Sequence, residues 1–204
     1  MNPTLINFVF EDQISEYVMR KIINRSNRYS IGSLYSKGGW GYIKKNIKRF
    51  NQASAQCPYF VLTDLDRGNC APMLIDEWLG SKPNPQLIFR VAVREVEAWL
   101  LPDIEGFSRF AGVSQALLER NPESISDPKA MLFEIVKHSR KRSIKEDILP
   151  HDNYARVGPN YNGCLGVFVN EYWDIVRAAD RSDSLRRTMD QIDLFNADIS
   201  APSM

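Results

Sequence analysis

Apolar residues in the first half of the chain alternate between short continuous runs and helical spacing. The runs are rich in β-branched and aromatic residues and have the length of buried strands; they cover residues 5–10, 29–35, 59–63 and 86–93. Between the runs, apolar positions recur every three or four residues, around residues 14–22, 42–50 and 72–79. Strands and helices that alternate in this way predict an α/β fold, with a mostly parallel sheet flanked by helices.

The second half of the chain has a different pattern, because helical spacing continues there without a convincing strand. Its helical segments are residues 104–110, 114–120, 128–140, 164–178 and 182–195, and they follow a helix at 95–101 that ends the first half. We therefore predict an α/β core over residues 1–103 and a helical appendage over residues 104–204, packed on the core as one compact unit.

Composition and charge narrow the class of protein. The 204 residues carry 26 Lys and Arg against 25 Asp and Glu, a net charge of +1, so coating nucleic acid by bulk charge is excluded. Three cysteines without paired spacing do not predict a disulfide framework or a zinc site. The first ten residues lack a basic leader, and no apolar stretch is long enough to span a membrane. These features predict a cytoplasmic protein without a membrane partner.

Acidic residues follow three of the predicted strands. Glu11 follows the first, Asp64 and Asp66 follow the third, and Glu95 and Glu97 follow the fourth. The carboxyl ends of parallel strands lie at one edge of a sheet, where ligands bind, so these acids are expected to lie close together. Crowded carboxylates repel one another unless a cation lies among them. Hard oxygen ligands without His or Cys favour Mg²⁺ or Mn²⁺.

The Asp-x-Asp spacing of Asp64 and Asp66 predicts a particular geometry. In an extended backbone the two side chains would point the same way, and Gly68 would then let the chain turn sharply. Two carboxylates on one side could hold a divalent ion and leave room for a phosphate oxygen. The alternative is that both are ordinary loop acids.

Two sets of residues resemble known families. Two features resemble the sequence motifs of the Toprim fold: Glu11 after the first strand, and Asp-Leu-Asp-Arg-Gly at 64–68. That fold occurs in topoisomerases, bacterial primases and overcoming-lysogenization-defect nucleases. The stretch 94–103, together with 66–70, is more similar to a group of small Toprim-like proteins of the DUF4276 type. Genes of that group often lie beside an ATPase gene in mobile-element or anti-phage systems. The resemblance covers residues 5–103 and continues only at 127–129 and 158–161.

The resemblance implies roles for these residues. Glu11 would transfer the proton, and Asp64 and Asp66 would hold Mg²⁺. Arg67 is a candidate catalytic residue on a separate ground, because it lies beside these acids and phosphate carries negative charge; the alternative is that it only neutralises the acids. Glu95 and Glu97 match the smaller group's motif, and we treat them as candidate ligands of a second metal ion. One residue departs from the Toprim pattern, since Asp12 stands where the family usually has glycine, which bears on how closely the backbone could approach a phosphate.

Other readings of the same acids stay open. Glu11 could instead place its negative charge near the positive end of the dipole of the helix that follows. Glu95 and Glu97 could begin a helix or pair with Arg90 and Arg94.

Local basic clusters are the candidate contacts for nucleic acid, because the net charge is close to zero. One cluster lies on the predicted helix at 42–50 and the other in the run 137–145; the predicted contact residues are Lys44, Lys45, Lys48, Arg140, Lys141 and Arg142. The alternative for both clusters is a solvated helix face.

The first hypothesis for function is a Mg²⁺-dependent, Toprim-like nuclease of a defence or mobile-element system. Its expected partners are DNA or RNA, an ATPase encoded nearby and a second copy of the chain. The second hypothesis is a non-catalytic partner or regulator of an ATPase, or a nucleic-acid sensor. A third is a phosphatase for small substrates.

Overall fold

In the computed structural model, described for residues 3–68, 70–118, 122–152 and 154–196, the chain forms two compact units. Unit 1 contains residues up to Val91 and, from Arg187, the C-terminal residues. Unit 2 contains Ala92–Arg186. The predicted division into a core over residues 1–103 and an appendage over residues 104–204, packed together as one compact unit, stays a prediction. None of the helices in the described residues is both long and apolar enough to cross a membrane.

A four-stranded parallel sheet confirms the predicted α/β fold. Its strands are β1 (Thr4–Val9), β2 (Tyr29–Tyr35), β3 (Tyr59–Asp64) and β4 (Leu87–Ala92), in the order β2-β1-β3-β4. The helices along this stretch are α1 (Gln13–Ser26), α2 (Gly39–Ala53) and α3 (Ala71–Leu79). The predicted runs and helical segments therefore match observed elements, with bounds that differ at the ends.

The apolar runs form strands because β1 and β3 lie in the middle of the sheet. Phe8, Val9, Phe60 and Val61 have no exposed surface, as expected for strands covered on both faces. Parallel pairing places Val9 opposite Val61. Continuing that register by two residues sets Glu11 opposite Thr63, so the carboxyl ends of both strands reach the same edge of the sheet.

Unit 2 is helical, as predicted for most of its length. Its helices are α4 (Glu97–Leu100), α5 (Ile104–Ala111), α6 (Pro128–Lys137), α7 (Arg142–Ile148), α8 (Tyr161–Val167) and α9 (Ile175–Ala179), and α10 (Asp183–Leu194) runs from this unit into unit 1. Sequence patterns missed α7. The helix predicted over 114–120 is a 3₁₀ turn at Gln115–Leu117, and residues 119 and 120 lie outside the described part.

The single helix predicted over residues 164–178 is wrong. A π-helical segment, Phe168–Tyr172, follows α8, and the chain is extended at Trp173. Asp174 then begins α9 by accepting the N–H groups of Val176 and Arg177. The apolar stripe continues across the break, because Phe168, Trp173 and Ile175 are all buried, so the pattern alone concealed it.

Candidate functional site

Glu11 lies at the carboxyl edge of the sheet in unit 1, directly beside the end of β3. One oxygen of its carboxylate, Oε1, accepts hydrogen bonds from the Thr63 hydroxyl and from the backbone N–H of Asp64, the latter at 2.8 Å. Thr63 is buried and Glu11 is half-buried. The sequence placed Glu11 and Asp64 at one edge, and these contacts show that the structure brings them together.

Burial raises the pKa of Glu11 above its ordinary value. The hydrogen bonds from Thr63 and Asp64 oppose this effect, and the negative charges of Asp66 and Asp12 add to it. The Asp66 contribution also shows that the acids of the two loops are close enough to interact. A carboxyl group with a raised pKa can hold or release a proton nearer to neutral pH than an ordinary glutamate can.

Asp12, which stands where the Toprim pattern usually has glycine, caps the helix that follows Glu11. Its side chain accepts the N–H of Ser15 at 2.8 Å and so caps α1. Asp12 therefore supplies the negative charge at the start of the helix. The Glu11 carboxylate lies one residue earlier and is directed at β3 instead.

The extended geometry predicted for Asp64 and Asp66 is wrong for Asp66. Asp64 ends β3, whereas Asp66 lies in a turn with φ 48°, in the left-handed region. The turn is closed by the N–H of Gly68, which donates to the carbonyl of Leu65 at 2.8 Å. Asp tolerates this backbone conformation better than most residues. Both acids thus lie on one tight loop, with Asp64 half-buried and Asp66 exposed.

Gly68 lies in the sharp turn predicted for it, and it is required there for space, since its φ is not positive. A Cβ at this position would lie 2.8 Å from the Leu65 carbonyl oxygen and 2.9 Å from Leu65 Cδ1. We expect Gly68→Ala to lower the free energy of unfolding by about 1–3 kcal/mol, the usual cost of overpacking, in urea denaturation.

Gly41→Ala is the matched control for that change. A Cβ at Gly41, within α2, would meet nothing within 4 Å. Alanine should therefore leave stability unchanged or raise it by up to about 1 kcal/mol, because glycine is the poorer helix former. Equal effects of the two substitutions would contradict the crowding at Gly68.

Glu95 and Glu97 lie in unit 2, where a lysine supplies the positive charge between them. Glu97 is only 2% exposed, and its Oε1 accepts from the Tyr161 hydroxyl at 2.7 Å and lies 3.3 Å from Lys129 Nζ. Glu95 Oε2 accepts the backbone N–H of Lys129 at 3.0 Å. Burial, and next the charge of Glu97, raise the pKa of Glu95. Lys129 thus places a positive charge beside Glu97, and the second metal ion predicted at these acids stays a prediction.

This cluster joins the separate stretches that carried the resemblance. Residues 94–103, 127–129 and 158–161 contribute Glu97, Lys129 and Tyr161, respectively. Sequence reasoning noted all three stretches but did not bring them together, because no local pattern records a contact between residues 64 positions apart. It also missed Thr63 as the partner of Glu11.

The positions of the acidic side chains indicate where a metal ion could bind. Throughout residues 3–68, 70–118, 122–152 and 154–196, no group of three or more His, Cys, Asp or Glu side chains is placed to hold one. Mg²⁺ does not need such a cage, since it commonly takes one or two carboxylates and keeps several waters. Asp64 and Asp66 provide two such carboxylates on one loop, so the donors present suit Mg²⁺ or Mn²⁺.

The predicted basic contacts lie on two surfaces, one in each unit. Lys44, Lys45 and Lys48 are exposed on α2, with Ile43, Ile47 and Phe50 on its buried face. Lys44 donates to Glu77 at 2.8 Å.

In unit 2, Arg140, Lys141 and Arg142 are exposed around the start of α7. Lys141 donates to the carbonyls of Arg109 and Phe110 and so stabilises the end of α5. Arg142 pairs with Glu146 within its own helix.

One comparison with known proteins gives a match. The family model described as a domain of unknown function, DUF4276, matches residues 9–160, well over half of the chain. Neither the curated proteins nor the solved structures include a significant match.

Proposed function

The chain belongs to the DUF4276 family, whose function is unknown, and from that premise we propose that it is a Mg²⁺-dependent, Toprim-like nuclease that hydrolyses phosphodiester bonds. One observation carries this proposal: a half-buried Glu11 with a raised pKa lies at the carboxyl edge of a parallel sheet, beside a loop with two further acids. Ligands of open parallel sheets bind at that edge, and a general acid or base works best with a pKa near the working pH.

Each residue at this edge of the sheet would have a separate role in the reaction. Asp64 and Asp66 would hold the ion, which supplies positive charge against the phosphate oxygens when bound. Glu11 would take the proton from the attacking water, since burial makes it a stronger base than an ordinary carboxylate. Thr63 and the N–H of Asp64 fix Oε1, so the second carboxylate oxygen, Oε2, is the one we assign to the proton. Arg67, exposed in the same loop, would contact the phosphate.

The wider setting of the activity rests on the resemblance of the sequence motifs. We propose DNA or RNA as the substrate, an ATPase and a second copy of the chain as partners, and a cytoplasmic defence or mobile-element system as the context. A second divalent ion at Glu95 and Glu97 also belongs to this part of the proposal, and Lys129 would have to move away from Glu97 to admit it.

Titration and cleavage experiments with Asp64→Ala test the proposal. The unaltered protein should bind Mg²⁺ or Mn²⁺ in isothermal titration and cleave labelled DNA or RNA until EDTA is added. Asp64→Ala should weaken metal binding and slow cleavage at least about 100-fold, the scale on which one electrostatic stabiliser acts.

Asp76→Ala is the matched control. Asp76 is an exposed acid on α3 in the same unit, outside the proposed site, and its loss should change neither metal binding nor cleavage. Metal-dependent cleavage that survives Asp64→Ala would refute the assignment. A protein that neither binds the ions nor cleaves would instead favour the non-catalytic partner.

A further inference from the structure

A column of three aromatic rings leads from the sheet of unit 1 to its surface. Phe89 in β4 packs against Trp78 in α3, with ring centroids 6.1 Å apart, and Trp78 packs against Trp40 at the start of α2 at 6.4 Å. Both ring pairs are tilted by less than 40°. Trp78 and Phe89 are buried, whereas Trp40 is 53% exposed. The column therefore holds a large aromatic ring in place at the surface.

Positive charge accompanies this exposed ring. The ammonium of Lys44 lies 5.7 Å from the centroid of the Trp78 ring and is held there by Glu77. Lys45 and Lys48 are exposed on the same helix. A fixed aromatic ring beside a basic helix is the combination that holds single-stranded nucleic acid, since bases stack on the ring and phosphates meet the cations.

A cavity of about 430 Å³ connects the column with the loop of the candidate site. Trp78 and Met73 line it from α3, and Arg67 and Gly68 line it from the loop that carries Asp64 and Asp66. Met73 is also exposed, so the surface beside the loop is apolar as well as basic. A strand lying along this surface would pass from the rings to the acids at the sheet edge.

We propose that Trp40 and the adjoining cavity form a stacking platform for the unpaired bases of single-stranded DNA or RNA. This inference rests on the proposed function and extends it by naming a single-stranded substrate. Trp40 provides the stacking face, Trp78 packs against it, and the exposed Lys45 and Arg67 would supply positive charge for the phosphates. A base pair would hide the faces that the platform needs, so duplexes should bind more weakly.

Binding without cleavage tests the platform separately from catalysis. Asp64→Ala protein, with EDTA present, is titrated with labelled oligo-dT, oligo-U and a DNA duplex, and the fluorescence anisotropy gives the affinities. We expect both single strands to bind better than the duplex. Adding Trp40→Ala should weaken single-strand binding about 5- to 150-fold, the range for the loss of one stacked base. Tyr154→Ala, which removes an aromatic side chain that is 96% exposed in unit 2, should have no effect.

Tryptophan fluorescence gives a second readout that a merely structural role would not change. All four tryptophans are described, and Trp40 is exposed whereas Trp78, Trp99 and Trp173 are buried. Unlabelled oligo-dT should therefore quench the emission of the Asp64→Ala protein. Trp40→Phe should lose that quenching and keep most of the affinity, because phenylalanine still offers a ring.

Three outcomes would overturn the platform: no single-strand binding, binding unchanged by Trp40→Ala, or quenching that persists in Trp40→Phe. If no single strand binds, the exposed Trp40 ring would instead be a surface for a protein partner. Cleavage that depends on Asp64 but not on Trp40 would reject the platform and keep the nuclease. Binding that depends on Trp40 in a protein without cleavage would keep the platform and reject the nuclease.

Discussion

Replacing Glu11 by Gln is expected to slow metal-dependent cleavage by about 10²- to 10⁴-fold, the contribution of a positioned general base. Glutamine keeps an oxygen for Thr63 and for the N–H of Asp64, so the loop should retain its position. What it loses is the group that takes the proton. Cleavage by the unaltered protein should rise with pH through the raised pKa of Glu11 and level off above it, and the variant's residual activity should lack that rise.

The same substitution should not destabilise the protein at neutral pH. Because the folded pKa of Glu11 is raised, the favourable contribution of its protonated form is complete below the unfolded pKa and is lost as pH rises through the folded pKa. Above that window the unaltered protein carries the cost of an ionised, half-buried carboxylate, and Glu11→Gln does not. Urea denaturation should show the variant gaining up to about 1.4 kcal/mol, relative to the unaltered protein, for each unit by which the pKa is raised.

Glu16→Gln provides the control for Glu11→Gln. Glu16 lies on α1 and pairs with Arg20, away from β3. Its replacement should leave cleavage and the pH dependence of cleavage unchanged. Two results would count against the proposed role of Glu11: full activity in Glu11→Gln, or a stability difference between the variant and the unaltered protein that shrinks as pH rises.

The sequence predicted the edge of the sheet well because strand ends are local features. The run at 59–63 is apolar and stops at Asp64, so both the strand and the acid that follows can be located without a structure. The contact between Thr63 and Glu11 depends on how β1 and β3 pair across 52 residues, and no local pattern encodes that register. The turn at Asp66 was missed for another reason, since spacing alone does not reveal a residue with positive φ.

In unit 2, too, local patterns do not reveal contacts between residues that are distant in sequence. Glu97 follows the fourth strand closely enough to suggest a ligand at the sheet edge. Its surroundings are decided by Lys129 and Tyr161, which arrive from α6 and α8. A buried carboxylate needs a partner of opposite charge or a hydrogen-bond donor, but the sequence cannot say whether that partner is a metal ion or a lysine. The structure supplies the lysine.

Replacing Glu97 by Ala is therefore expected to lower the free energy of unfolding by about 3 kcal/mol, the lower end of the cost of breaking a buried ion pair. The Tyr161 hydroxyl is buried and would lose its acceptor, which costs free energy directly. The loss of the ion pair would cost less free energy at Lys129, because its side chain is 32% exposed and its ammonium can turn toward water. Glu97→Gln should cost less than Glu97→Ala, since the amide oxygen can still accept from Tyr161.

A double-mutant cycle with Lys129→Met separates this structural role from metal binding. If Lys129 is the cation that Glu97 needs, the two losses of stability should not add, because either substitution alone already breaks the pair. Mg²⁺ should then raise the denaturation midpoint of Lys129→Met by no more than it raises that of the unaltered protein, through the site at Asp64 and Asp66. Additive losses would show that Glu97 is stabilised without Lys129. A midpoint that Mg²⁺ raises more in Lys129→Met than in the double variant would show that the Glu97 carboxylate accepts a metal ion once the lysine is gone, which would support the second metal site.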